Sequence, residues 1–201
     1  MTGARSIILA TTNPGKLREV RAVLSGLPVE LTTLADHPPL DPPEETGATF
    51  EANAALKALY YARILHGWAL ADDSGLEVDP LNGAPGVHSA RFAGEPGNDA
   101  ANNAKLIQSL AAIPLEQRTA RFRCALALAD HQNVLATASG VIAGRIIDEP
   151  RGRNGFGYDP HFFVPEFGMT TAEMPPEQKN SVSHRGRALR AIRPEIERLL
   201  A

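Results

Sequence analysis

Lys16 and Lys57, Glu45 and Asp73, and the aromatic pair Phe156 and Tyr158 are the residues whose types and settings could do chemistry in this 201-residue chain. Lysines neutralise anions, carboxylates hold hard cations or accept protons, and flat rings stack on bases. Lys16 ends the stretch Thr11-Thr12-Asn13-Pro14-Gly15-Lys16, between an apolar run at 6–10 that reads as a buried strand and helical spacing at 17–24. Pro14 can open that helix, whose first-turn amides favour an anion, and Thr11, Thr12 and Asn13 add short polar groups. The pattern points to phosphate. It is not a P-loop, because Ala10 stands where the first Gly is required and Leu17 where the hydroxyl is required.

Glu44-Glu45 stands just before a helix that Thr49 can cap, and Thr49, Asn53 and Lys57 follow at i, i+4 and i+8 on one stripe. The i±4 neighbours of Lys57 are Asn53 and Tyr61, so its anion must come from outside the helix or its ammonium must snorkel to water. Asp72-Asp73-Ser74-Gly75 is expected to end a short buried strand at 68–71. With strand geometry the two aspartates point to opposite faces, one toward a site and one toward structural support. Glu45 and Asp73 could then supply the few carboxylate oxygens that magnesium takes beside waters and substrate phosphates. The competing reading of Asp-Asp-Ser-Gly is an Asx-turn.

Gly155-Phe156-Gly157-Tyr158-Asp159-Pro160 reads as a fixed loop whose rings face a base or plug the edge of a core. Lys179, His184, Arg185 and Arg187 gather just before or inside the last helix, and a helix N-terminus disfavours clustered cations, which suggests an anionic or electron-rich ligand. The other histidines, His37, His66, His88, His131 and His161, lack zinc spacing, and no nucleophile elbow is present.

The elements that must position these groups alternate between strand and helix. A second strand is expected at 29–34, a proline-rich connection at 37–43, helices at 49–66 and 99–112, and a loop-rich stretch at 79–97. Two long strands at 119–129 and 134–147 form a hairpin, and a final helix starts at about Ser183 or Gly186. Interleaving with a hairpin implies an α/β fold on a mixed sheet, and without repeats or a linker residues 1–201 read as a single domain.

Hydrophobic content of 43% and charged content of 21% are those of an ordinary soluble protein. A net charge of −3 argues against a general nucleic-acid binder. The lone Cys124 excludes an intramolecular disulfide and suits a reducing compartment. The first apolar run is shorter than the roughly 7–15 residues of a signal-peptide core, and nothing approaches the ~18 of a membrane span, so a cytoplasmic protein without a membrane partner is expected.

Taken together, Thr12-Asn13-Pro14-Gly15-Lys16, Glu45-Thr46-Gly47 with Phe50, Asn53 and Lys57, Ala71-Asp72-Asp73-Ser74-Gly75-Leu76, Gly83-Ala84-Pro85-Gly86 with Ser89-Ala90-Arg91, Phe156-Gly157-Tyr158-Asp159-Pro160, and Ser183-His184-Arg185-Gly186 resemble the inosine triphosphate pyrophosphatase family of noncanonical purine nucleotide pyrophosphatases. The match runs in the family's order from residue 10 to about 187. The resemblance implies an elongated, two-lobed α/β fold around a mixed twisted sheet with an active-site cleft between the lobes, a homodimer, and magnesium-dependent hydrolysis of ITP, dITP and XTP to monophosphate and pyrophosphate. It also implies that Thr11, Thr12, Asn13, Pro14, Gly15, Lys16 and Lys57 hold the triphosphate, and that Glu45 and Asp73 bind the metal. Asp73 is the implied proton acceptor and Ser74 a substrate contact. Phe156, Gly157, Tyr158, Asp159, Lys179, His184 and Arg185 are implied to hold the base. Tyr158 stands where other members carry Trp, and Thr12 where some carry Gly or Ser.

Overall fold

The computed structural model describes residues 4–95 and 97–201, and of Pro14 its backbone alone. Strand β1 (Arg5–Leu9) leads into helix α1 (Pro14–Val23), with proline in its first turn, and then to β2 (Val29–Thr33). Helix α2 (Phe50–Leu65) starts where the Thr49 hydroxyl accepts from Ala52 N–H, and it stops at His66 in the left-handed region, followed by Gly67. Next come β3 (Trp68–Val78), α3 (Asp99–Leu110), β4 (Thr119–Ala129) and β5 (Val134–Ile146). The short β6 (Phe162–Val164) and β7 (Met169–Thr170) precede α4 (Pro176–Val182) and α5 (His184–Leu200).

The fold is mixed α/β, with a seven-stranded sheet in the order β2-β1-β3-β4-β5-β6-β7. β1 is parallel to β2 and β3, and each return passes through a helix, as parallel pairing requires. β4 and β5 are neighbours joined by residues 130–133, where Asp130 Oδ1 accepts from Gln132 and Asn133 N–H, so the expected hairpin is present. β5–β6 and β6–β7 are antiparallel.

One sequence expectation is corrected. β3 does not end at Asp-Asp-Ser-Gly but runs through it for 11 residues, since its place between β1 and β4 satisfies the backbone and distant cations satisfy both carboxylates. That removes the need for an Asx-turn. The final helix, expected from about Ser183 or Gly186, is present as α5 from His184, and the extended Ser183 separates it from α4, which carries Lys179.

The chain folds into two compact units. The first, residues 4–73, 124–140 and 185–201, buries Ile7, Leu9, Trp68, Leu70, Leu126 and Leu128 of the strands beneath Val20 and Leu24 of α1 and Leu189, Ile192 and Ile196 of α5. The second, residues 74–123 and 141–184, centres on Leu76, Leu106, Leu110, Phe122, Ile146, Tyr158, Phe162 and Met174. No helix among the described residues is long and apolar enough to cross a membrane.

Candidate active site

The loop after β1 is built around Asn13. Its Oδ1 accepts from Gly15 N–H at 2.7 Å and so caps α1, while Thr11 Oγ1 accepts from Asn13 N–H at 3.1 Å. A Cβ on Gly15 would come within 3.0 Å of that capping oxygen. Thr12 and Asn13 are exposed, and the Pro14 side chain lies outside the described residues. Lys16 leaves the first turn and donates to both oxygens of Asp72, at 2.8 and 2.9 Å.

Adjacent aspartates on β3 do separate to opposite faces, as expected. Asp72 takes Lys16 together with Arg185, whose Nε and Nη2 lie 3.3 Å from Oδ2. Burial would raise the Asp72 carboxyl, but Lys16 and then Arg185 outweigh it and hold the group well below the usual carboxylate range. Arg185 also approaches Glu19 at 3.9 Å. The sequence grouped Arg185 with the base-holding residues; the fold places it on Asp72, beside the lysine of the loop.

Asp73 takes the partners of α2. Asn53 Nδ2 donates to its Oδ2 at 3.0 Å, and Lys57 Nζ lies 3.7 Å from its Oδ1. Lys57 also donates to Glu45 Oε1 at 3.0 Å, so the anion that its own helix lacks comes from the preceding loop and from β3. Burial opposes charge on Lys57, yet Asp73 and the hydrogen bond to Glu45 raise its pKa above that of an ordinary lysine. It is a cation at neutral pH.

Glu45 and Asp73 thus converge on one cation position. Their hard oxygen donors suit magnesium, and among the described residues no group of three or more His, Cys, Asp or Glu side chains forms a metal cage. A magnesium ion held by these two carboxylates would complete its shell with water and phosphate oxygens, the arrangement it prefers. The residues present fit the group.

In the second unit, the loop at 155–159 presents Phe156, whose side chain is prominent at the surface with 62% exposure. Asp159, buried, holds the loop from beneath: Oδ2 accepts from Phe156 N–H at 2.8 Å and from Lys179 Nζ at 2.5 Å, while Oδ1 accepts from Thr171 Oγ1 at 2.7 Å. Gly155 has φ +80°, and a Cβ there would fall 2.0 Å from Asp159 Oδ2, so the turn demands glycine. Lys179 Nζ also lies 5.4 Å from the Phe156 ring centre. From α3, Asp99 accepts from Gly157 N–H at 2.7 Å and Asn103 Nδ2 donates to Gly157 O at 2.9 Å.

Tyr158 differs from its neighbour. It is a core residue with its hydroxyl donating to Ser89 O at 2.8 Å, and burial pushes that hydroxyl's pKa up. Its ring faces are spent on packing, which leaves Phe156 as the exposed ring of the loop. His184 stacks on Phe122, with ring centres 5.1 Å apart and 17° between planes. Ser74 is half-buried on β3.

Sequence reasoning passed over Asn53, Asp99 and Asn103 as site residues. For Asn53 the signal was available: an asparagine between a capping threonine and a lysine, on the face of an Ala-rich helix, must find buried partners. For Asp99 and Asn103 nothing in the sequence joins α3 to a loop about fifty residues away.

The sequence pattern of the Ham1 family matches residues 7–195. The chain belongs to the Ham1 family. Over 190 residues it is 54% identical to the dITP/XTP pyrophosphatase of Geobacter sulfurreducens, covering 94% of this chain and 96% of that one. The dITP/XTP pyrophosphatase of Listeria monocytogenes is 48% identical, with 94% of each chain covered. Among solved structures, a Ham1 protein from Coxiella burnetii superposes with a TM-score of 0.88 at 40% identity, covering 98% of this chain and all of that one (100%). A dITP/XTP pyrophosphatase from Mycobacterium abscessus gives 0.77 at 46% identity, with 92% and 95% covered. The resemblance carried by the motifs and the fold therefore agrees with Ham1 membership.

Proposed function

We propose that this Ham1 protein hydrolyses the noncanonical purine nucleoside triphosphates ITP, dITP and XTP to the monophosphate and pyrophosphate, removing them from the nucleotide pool. The observation that carries this reading is the convergence of Glu45 and Asp73 on the Lys57 ammonium, in a chain about half identical to dITP/XTP pyrophosphatases.

Hydrolysis at the α-phosphorus spreads negative charge over the phosphate oxygens, and placed cations lower that barrier. Lys16 and Lys57 supply them; on binding, each exchanges part of its carboxylate pairing for phosphate. Thr11, Thr12, Asn13, Pro14 and Gly15 shape the loop around the phosphates. Glu45 and Asp73 hold magnesium, which when bound neutralises charge on the phosphate oxygens. Asp73 takes the proton of the attacking water, and Ser74 contacts the substrate.

The base is stacked on Phe156 and ordered by Gly157, Asp159, Lys179 and His184, with Tyr158 anchoring their loop from the core. Arg185, held on Asp72, acts on the phosphate side through Lys16. A homodimer in the cytoplasm, without nucleic-acid or membrane partners, completes the proposal; light scattering in solution tests the dimer.

The reading is tested with a panel of nucleoside triphosphates in magnesium, assayed separately for pyrophosphate and orthophosphate. Pyrophosphate released from dITP, ITP and XTP well ahead of ATP supports it. Orthophosphate alone, or no turnover of any purine triphosphate, overturns it.

A further inference from the structure

Asn53 is fully buried, and both ends of its amide are engaged: Oδ1 accepts from Gly47 N–H at 2.7 Å, and Nδ2 donates to Asp73 Oδ2 at 3.0 Å. The partners fix the amide's orientation, since a backbone N–H donates and a carboxylate oxygen accepts. Gly47 follows two residues after Glu45, and a Cβ on it would fall 2.5 Å from Asn53 Oδ1 and 2.8 Å from Ala52 Cβ. The loop backbone is pressed onto the asparagine too closely for any other residue. One side chain therefore ties the segment that carries Glu45 to the strand that carries Asp73. With Oδ2 of Asp73 held by Asn53, Oδ1 is the oxygen beside Lys57, which in turn reaches Glu45.

We propose that Asn53 is a positioning residue that sets the orientation of Asp73 and its spacing from Glu45 for a divalent cation. The inference rests on the reading of Glu45 and Asp73 as the cation's carboxylates. An asparagine that served only the fold would affect stability and leave cation affinity alone. One that orients a ligand affects affinity and turnover, and loss of such a supporting partner typically costs about 10–100-fold in either.

The test uses Asn53→Leu, which removes both hydrogen bonds at similar volume, and Gly47→Ala, which keeps Asn53 and both carboxylates but forces the contact apart. Manganese, added without nucleotide and followed by the paramagnetic resonance of the free ion, reports affinity directly. The expected result is a manganese Kd raised at least about tenfold in Asn53→Leu, with kcat lowered and the nucleotide KM changed by less than about threefold. If Asn53→Leu does not fold, Gly47→Ala must show the same rise. Wild-type manganese affinity in either folded variant overturns the proposal, whatever happens to thermal stability. A wild-type protein that binds manganese but releases no pyrophosphate from any triphosphate removes the proposed reaction instead, so the two failures are distinct.

Discussion

Lys16 and Asp72, separated by 56 positions in the sequence, meet through both carboxylate oxygens at 2.8 and 2.9 Å. The lysine of the first loop is thus held by the strand that carries the site's carboxylates, and Arg185 closes the same group from α5. Asp72 has two cations to lose; Arg185 depends on Asp72 much more than on Glu19, which is 3.9 Å away.

Removal of the two partners should therefore differ. Lys16→Ala leaves Asp72 with Arg185, so the protein stays folded while triphosphate KM rises or turnover falls at least about tenfold. Asp72→Ala leaves a buried guanidinium short of its carboxylate and should cost about 3 kcal/mol of stability. Denaturant unfolding of both variants checks the order; equal losses of stability would contradict it.

The same ion group predicts acid sensitivity. The folded pKa of Asp72 is depressed, so its contribution is fully present above the unfolded value of about 3.9 and is lost as pH falls below it. Unfolding free energies measured from about pH 5 down to about pH 2 should fall less steeply in Asp72→Asn than in the wild type. Parallel slopes would show that Asp72 contributes nothing to acid unfolding.

Arg185→Ala tests what that side chain serves. Arg185 is anchored on Asp72 and approaches Glu19, and if it serves that ion group, ITP and residual ATP hydrolysis should fall by the same fraction. A change in the ITP-to-ATP ratio would return Arg185 to base recognition, as the sequence motif alone suggested.

Phe156 and Tyr158 make a paired prediction. Phe156 is the exposed ring, and truncation to Ala should cost about 1–3 kcal/mol of base stacking, read as a rise in nucleotide KM with little change in thermal stability. Tyr158→Phe loses the hydrogen bond to Ser89 O and should cost about 1 kcal/mol of stability without altering the choice of base. Selectivity that moves in Tyr158→Phe and not in Phe156→Ala would reverse these roles.

Local signals were legible where a residue's partners are near it in sequence. Pro14 and Thr49 mark the starts of α1 and α2, and the apolar periodicity places β1, β2 and α3 within a few residues. What was not legible depends on distant partners. Asp-Asp-Ser-Gly is good turn chemistry, and only its neighbours in the sheet and the cations of α1, α2 and α5 hold it as strand. Phe156 and Tyr158 look alike in sequence, yet the carbonyl of Ser89 draws one ring inward and leaves the other outside. β6 and β7 are too short to carry a pattern of their own.

The initial rate of magnesium-dependent pyrophosphate release from dITP, compared between the wild type and Asp73→Asn, tests the central claim most directly. The substitution keeps the shape of the side chain and removes the charge that faces Lys57. A folded Asp73→Asn protein should lose at least about a hundredfold in turnover, the scale of one strong transition-state contact. Near-wild-type release from that variant would contradict the assignment of Asp73 and the site built around it.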